Sequence, residues 1–140
     1  MTRAPIAALV LGLSLLVLAS AAAPAFAQPA APTTPTAFYL EYRKAFDAAK
    51  KIEDLLPYMS AATRKQVEAT PAADRPQMFE MVKMLGTLTN VKVVKETPAG
   101  DGATLTVTGT DADKATMTGT ISIVKEGGAF KLGKESWTNK

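Results

Sequence analysis

The spacing of apolar residues after Asn90 constrains the fold of this 140-residue chain more than any other feature. Apolar and hydroxyl side chains alternate through GATLTVTGT and ATMTGTISIV, a pattern typical of strands with one buried face. Directly opposed residues of an antiparallel pair share a face, so the parity of the apolar positions fixes which loops can join the strands. The pattern predicts four consecutive antiparallel strands that share one apolar face.

The same parity predicts the register of the first hairpins. A three-residue loop at 111–113 pairs Val107 with Met117 and keeps both side chains on the apolar face. An odd-numbered loop within 98–102 sets Val93 opposite Val107.

Gly127 and Gly128 predict a two-residue hairpin turn, because a turn of this length requires positive φ values that glycine adopts freely. This turn sets Ile123 opposite Leu132 and brings the even-numbered apolar residues of the last strand onto the common face. Three successive hairpins then agree on one apolar surface.

Trp137 departs from this pattern, since a regular last strand would point it away from the core. Gly133 is a natural position for a β-bulge, and one extra residue there would turn Glu135 and Trp137 inward. Inward, Trp137 would cover the open end of the core; outward, it would offer a contact to a partner on a threonine-rich face.

Ahead of the strands, helical periodicity begins near Thr36, which is predicted to cap the first helix. The predicted apolar face of this helix consists of Phe38, Tyr42, Ala45, Phe46 and Ala49. Its predicted polar side consists of Arg43, Lys44, Asp47 and Lys50.

A short segment over 52–56 ends at Pro57, and Ser60 opens a second helix that Thr70 and Pro71 end. A third helix begins near Asp74. Its apolar stripe, which Phe79 and Met84 widen, consists of Met78, Met81, Val82, Leu85 and Leu88. Helical spacing indicates a core-facing stripe, and the alternative is an adaptable methionine-rich wall around a ligand.

The N-terminus has the form of an export signal. Arg3 precedes an apolar stretch over 6–19, and Ala25-Phe26-Ala27 is a small–x–small cleavage motif. We expect residues 1–27 to be removed between Ala27 and Gln28, leaving a Pro/Ala/Thr-rich linker over 28–36 and one α+β domain over 37–140. The alternative is a retained anchor, but the stretch is shorter than the roughly 20 residues that span a bilayer. The expected location is the periplasm or the exterior, with no membrane attachment after cleavage.

Composition excludes several classes of function. The 16 basic and 13 acidic residues are mixed and scattered, so no stripe suited to a nucleic-acid backbone is expected. The chain has no His and no Cys, which excludes thiol nucleophiles, histidine bases, soft-ligand metal sites and disulfides. We expect neither a cofactor nor a metal ion.

Three helices followed by a four-stranded meander predict an α+β fold in which the helices cover one face of the sheet. Segments AFYLEYRKAFDAAK, LLPYMS and GGAFKLGKESW resemble the nuclear-transport-factor-2-like superfamily, a cone-shaped α+β roll, over about Thr36 to Trp137. The resemblance implies a small exported accessory or binding domain. Many members carry a short strand where this chain has only EATPAADRP, which implies a shallower pocket.

We therefore predict a non-catalytic binding or accessory module with a small apolar ligand between helices and sheet. The predicted lining consists of Phe38, Tyr42, Phe46, Met78, Met81, Leu85, Phe130, Glu135 and Trp137. One alternative is a homodimer or partner complex through the threonine-rich sheet face. A second is a dehydratase- or isomerase-like enzyme, for which Glu135 is the one carboxylate with a route into the interior.

Overall fold

The chain folds as an α+β domain in a computed structural model that describes residues 30–139. The helices are α1 (Pro35–Ala48), a 3-10 helix (Ile52–Tyr58), α2 (Ala61–Ala69) and α3 (Arg75–Gly86). The strands are β1 (Thr89–Ala99), β2 (Gly102–Thr110), β3 (Thr116–Glu126) and β4 (Ala129–Asn139), in the antiparallel order β1-β2-β3-β4. The predicted fold class is confirmed. The predicted signal segment and its cleavage site lie outside the described residues.

The N-cap of helix α1 lies two residues earlier than predicted. Thr34, not Thr36, accepts a hydrogen bond from the Ala37 N–H at 3.1 Å, and Pro35 occupies the first turn, where its missing N–H costs nothing. The backbone N–H of Thr36 instead donates to the Glu96 carboxylate at 3.1 Å. The predicted linker is therefore partly helical and is fastened to β1.

The buried face of α1 includes a residue that the sequence placed on the polar side. Its buried residues are Phe38, Tyr39, Tyr42, Arg43 and Phe46. Arg43 is only 5% exposed, so its prediction as a solvent-facing residue is wrong. An arginine can lie in a core only where charge and hydrogen bonds compensate for lost water, which makes its surroundings informative.

Helix α3 is rotated from the predicted orientation. Phe79 is its buried residue, Met78 and Val82 pack partly against the core, and Met81 and Leu85 are 54% and 70% exposed. The prediction that Met81 and Leu85 belong to a core-facing stripe is therefore wrong.

The contact between α3 and α1 explains this rotation. The Lys83 ammonium donates to the Phe46 carbonyl at 2.7 Å, and a Cβ atom at Gly86 would lie only 2.6 Å from Phe46 Cζ. The side of α3 that carries Lys83 and Gly86 therefore faces α1, because only glycine allows this close approach. The opposite side is left for Met81 and Leu85.

The last hairpin follows the predicted register. Gly127 and Gly128 both have positive φ, +57° and +80°, and Ile123 lies opposite Leu132. Ser122 then pairs with Lys134, so Gly133 is an extra residue in β4. The sequence left open whether Gly133 forms a bulge, and the structure shows that it does.

Beyond the bulge, β4 presents its inward side chains at odd positions. Glu135 lies opposite Ile121, and Trp137 lies opposite Gly119. Trp137 is half-buried and packs against the core, so the inward alternative is the one adopted.

In the other two hairpins the apolar residues lie on the predicted face, but the loops differ from those predicted. Thr110 pairs with Thr116, so the loop has five residues and Val107 faces Gly119 rather than Met117. Between β1 and β2 the loop has two residues, Gly100 and Asp101. The predictions of loop length are therefore wrong, although the five-residue loop is still odd-numbered.

A β-bulge restores the parity that the short β1–β2 loop would break. Val93 pairs with Val107 as predicted, whereas the next paired residue is Lys95, so Val94 is extra and points outward, 58% exposed. A second irregularity in the pairing of β1 lies between Thr89 and Lys92, where Asn90 has a φ of +52°.

The close packing around Gly119 gives a testable prediction about the position of the Trp137 indole. A Cβ atom there would lie 2.7 Å from Val107 Cγ2 and 2.8 Å from Trp137 Cε3. Gly119→Ala is expected to lower the free energy of unfolding by about 1–3 kcal/mol and to change the tryptophan fluorescence, because the indole must move. Urea denaturation followed by fluorescence measures both.

Gly109 is the matched control on β2. It is also buried on the inner face, but a Cβ atom there would meet Leu88 and Val91 at 3.4 Å. Gly109→Ala should cost clearly less and leave the fluorescence unchanged. Equal effects of the two substitutions would contradict the packing of Trp137 against Gly119.

Candidate functional site

The strongest concentration of polar groups in the interior surrounds the carboxylate of Glu135. The bulge at Gly133 points this side chain from β4 toward α1, and it is 17% exposed. Four side chains from α1 and β4 converge on its two oxygens. They are Tyr39, Tyr42, Arg43 and Trp137.

Three of these side chains donate hydrogen bonds. The Tyr39 hydroxyl donates to Glu135 Oε1 at 3.1 Å, and the Tyr42 hydroxyl donates to Oε2 at 3.3 Å. The Trp137 indole N–H donates to Oε1 at 2.8 Å. Together these three donors fix the position of the carboxylate between α1 and β4.

Arg43 supplies the balancing charge. Its Nη1 lies 3.6 Å from Glu135 Oε1, and its Nη2 donates to the Gly86 carbonyl at 2.9 Å. The guanidinium carbon is 4.8 Å from the centroid of the Phe46 ring. Nε and Nη1 have no hydrogen-bond partner among residues 30–139, so the ion pair and the ring provide their compensation.

The two tyrosines act here as hydrogen-bond donors in their neutral form. Burial raises the pKa of Tyr39 and of Tyr42 far above that of a free tyrosine, and the negative charge of Glu135 raises it further. The hydroxyl protons therefore stay in place across the physiological range. The arrangement holds a carboxylate in place and leaves it few free lone pairs to act as a base.

Most of the predicted pocket-lining residues fill the interior. Phe38, Tyr42 and Phe46 are buried in the core beside the fully buried Tyr39 and Leu105. The ring of Tyr42 contacts the rings of Tyr39 and Phe46, at centroid distances of 6.0 and 6.1 Å. Phe130, Met78 and Trp137 are half-buried around this core. Met81 and Leu85 lie on the surface of α3, away from the other predicted lining residues.

Two grooves meet on the surface where α3 ends and β1 begins. One groove, of about 510 Å³, lies between α1 and β1, with Leu40, Lys44 and Val91 in its walls. The other, of about 350 Å³, lies between α3 and the β2–β3 loop. Leu88 and Thr89 belong to both grooves, so the surface is continuous.

We call this surface the apolar corner. Its apolar residues are Leu40, Met84, Leu85, Leu88, Val91 and Met117. It contains three of the five large hydrophobic side chains that are exposed within the described part of the chain; the other two, Met81 and Val94, line neither groove. Met84 is the most exposed of them, at 74%.

Other classes of site find no support among the described residues. No group of three or more acidic side chains in the 30–139 range is arranged to hold a metal ion. Within the same range, no helix has the length and apolar character needed to cross a bilayer. Searches against protein-family models, curated proteins and solved structures found no match to this chain. The resemblance to the nuclear-transport-factor-2-like superfamily therefore stays a prediction.

Sequence reasoning identified Glu135 and its dependence on the Gly133 bulge, but it missed Arg43. A signal was present, since Tyr39, Tyr42, Arg43 and Phe46 follow the i, i+3, i+4, i+7 spacing of one helical face. Assigning arginine to the polar side by residue type alone concealed this pattern.

The raised tyrosine pKa values predict how stability depends on pH. Unfolded tyrosines ionise above about pH 10, whereas the folded ones keep their protons. Each buried tyrosine should therefore lower the free energy of unfolding by up to about 1.4 kcal/mol per pH unit above that point, and should add no pH dependence below it.

The double variant Tyr39→Phe with Tyr42→Phe isolates this effect, because lysine ionisation is common to both proteins and cancels. Urea denaturation between about pH 8 and about pH 11 should show the stability advantage of the unmodified chain shrinking above pH 10. An advantage that stays constant over this range would contradict the assignment.

Proposed function

We propose that this chain is an exported, non-catalytic binding or accessory module that acts through the apolar corner. The signal-like N-terminus and the superfamily resemblance support export and an accessory role. The observation that carries the proposal is the gathering of exposed apolar side chains at one corner, since monomeric proteins rarely leave a continuous apolar surface without a use.

The surroundings of Glu135 weigh against the enzyme alternative. A general base needs an open lone pair within reach of a substrate, whereas this carboxylate contacts two hydroxyls, an indole N–H and a guanidinium. Aromatic side chains fill the space between α1 and the sheet where the substrate of such an enzyme would bind. The cluster is better suited to fixing β4 against α1.

The predicted dimer through the threonine-rich sheet face stays a prediction, and charge weighs against it. Thr106 and Thr120 pair at the centre of this face. Lys92 and Lys95 on β1 flank it on one side, and Lys134 on β4 flanks it on the other. Two copies packed through this face would bring lysines together without opposing carboxylates of their own.

Binding of anilinonaphthalene sulfonate, which fluoresces on apolar surfaces, tests the proposed function. At protein concentrations low enough to keep the chain monomeric, the folded protein should bind the dye. Met84→Glu should weaken that binding about tenfold, because it places a charge on the most exposed apolar position.

Val94→Glu is the matched control, since it adds the same charge at an exposed apolar residue on β1, outside the corner. It should leave dye binding unchanged. No dye binding by the folded protein, or equal losses in the two variants, would overturn the proposed function.

A further inference from the structure

We infer that the apolar corner is occupied by a second copy of this chain, related to the first by a two-fold axis. This inference rests on the proposed function and adds the identity of the partner. Three features of the corner support it: its continuity, the distribution of its charges and its mismatch with other occupants.

Continuity gives the corner the form that a two-fold interface needs. Leu88 and Thr89 form a wall that the two grooves share. The outer surface of α1 lies on one side of this wall, and the β2–β3 loop lies on the other. A two-fold axis near Leu88 would set α1 of each copy against the other copy's α3 and β2–β3 loop. Each contact would then occur twice, as in isologous interfaces.

The charges on the two sides of the corner are complementary. Lys44 follows Leu40 by one helical turn on the exposed side of α1, and both line the first groove. Across the shared wall, Asp113 lines the second groove with Met84 and Leu85. Under the two-fold axis, Leu40 of one copy covers Met84 and Leu85 of the other, and Lys44 lies near Asp113.

Two of the remaining charged groups of the corner already have partners within the chain. Asp111 accepts hydrogen bonds from the N–H groups of Asp113 and Ala115, so its carboxylate closes the β2–β3 loop. Arg43 is paired with Glu135. Asp47 lies one turn from Lys44 on α1 and also lines the first groove.

Other occupants fit these features less well. An anionic membrane surface would be repelled by Asp47, Asp111 and Asp113, which lie in or beside the grooves. A small apolar molecule would occupy one groove and leave the side chains of the other exposed. A second copy covers both grooves at once.

Sedimentation velocity over a range of concentrations tests the inference on the complete chain, purified in the form to which the cell processes it. We expect a reversible monomer–dimer equilibrium. Leu85→Glu should raise the dimer dissociation constant at least about tenfold, whereas Val94→Glu should leave it unchanged. Circular dichroism melting checks that each variant remains folded.

Charge reversal tests the geometry itself. Lys44→Asp and Asp113→Lys should each weaken the dimer, because each places like charges at both symmetric contacts. Mixing the two variants should restore a dimer. One contact of that heterodimer joins the two substituted side chains, whose charges are exchanged but still opposite, and the other contact keeps the native pair of Lys44 and Asp113. A chain that carries both substitutions should also dimerise.

A chain that stays monomeric at all concentrations would overturn the second-copy inference. A dimer whose dissociation constant is unchanged by Leu85→Glu would also overturn it, as would a mixture of the Lys44→Asp and Asp113→Lys variants that forms no dimer. A dimer broken by Thr106→Lys but not by Leu85→Glu would assign the interface to the sheet face instead. If the chain is monomeric and the dye still binds the corner, only the inferred partner fails. If the dye fails to bind as well, the proposed function fails with it.

Discussion

A carboxylate beside the inner face of a sheet is stable only if its charge and its lone pairs are compensated, and the architecture of this domain follows from how Glu135 meets that condition. Tyr39, Tyr42 and Arg43 of α1 supply compensation from the helical layer, and Trp137 supplies it from the same strand. The cluster therefore joins the first helix to the last strand, elements almost a hundred residues apart, and fixes α1 at one angle on the sheet.

Gly133 makes this arrangement possible, because the extra residue in β4 reverses which face of the sheet the following side chains occupy. Without the bulge, Glu135 and Trp137 would lie on the threonine-rich face, and Arg43 would be buried without a counter-charge. In the interior, aromatic rings pack together and hydrogen-bond donors surround the carboxylate of Glu135. The proposed binding would therefore use the surface, where the rotation of α3 exposes Met84 and Leu85.

The sequence predicted the fold well where one local rule decided the outcome. Gly127 and Gly128 set the last hairpin because only glycine adopts positive φ at both positions without strain. The other loops were mispredicted because parity constrains whether a connection is odd or even, whereas a bulge such as that at Val94 changes parity at little cost. The orientation of α3 depended on how closely it approaches α1 at Gly86, a tertiary contact that helical spacing does not encode. The burial of Arg43 was missed because its compensating partner lies on a distant strand.

The most direct measurement of the central claim is a double-mutant cycle with Arg43→Met and Glu135→Met, with the free energy of unfolding measured in urea. Each single variant should lose about 3 kcal/mol or more, because it leaves the opposite charge inside the domain without its partner. The double variant should lose about 1–3 kcal/mol less than the sum of the two single-variant losses, since no unpaired charge remains in it. Losses that add to within about 0.5 kcal/mol would show that the two residues do not act as a pair and would contradict the account.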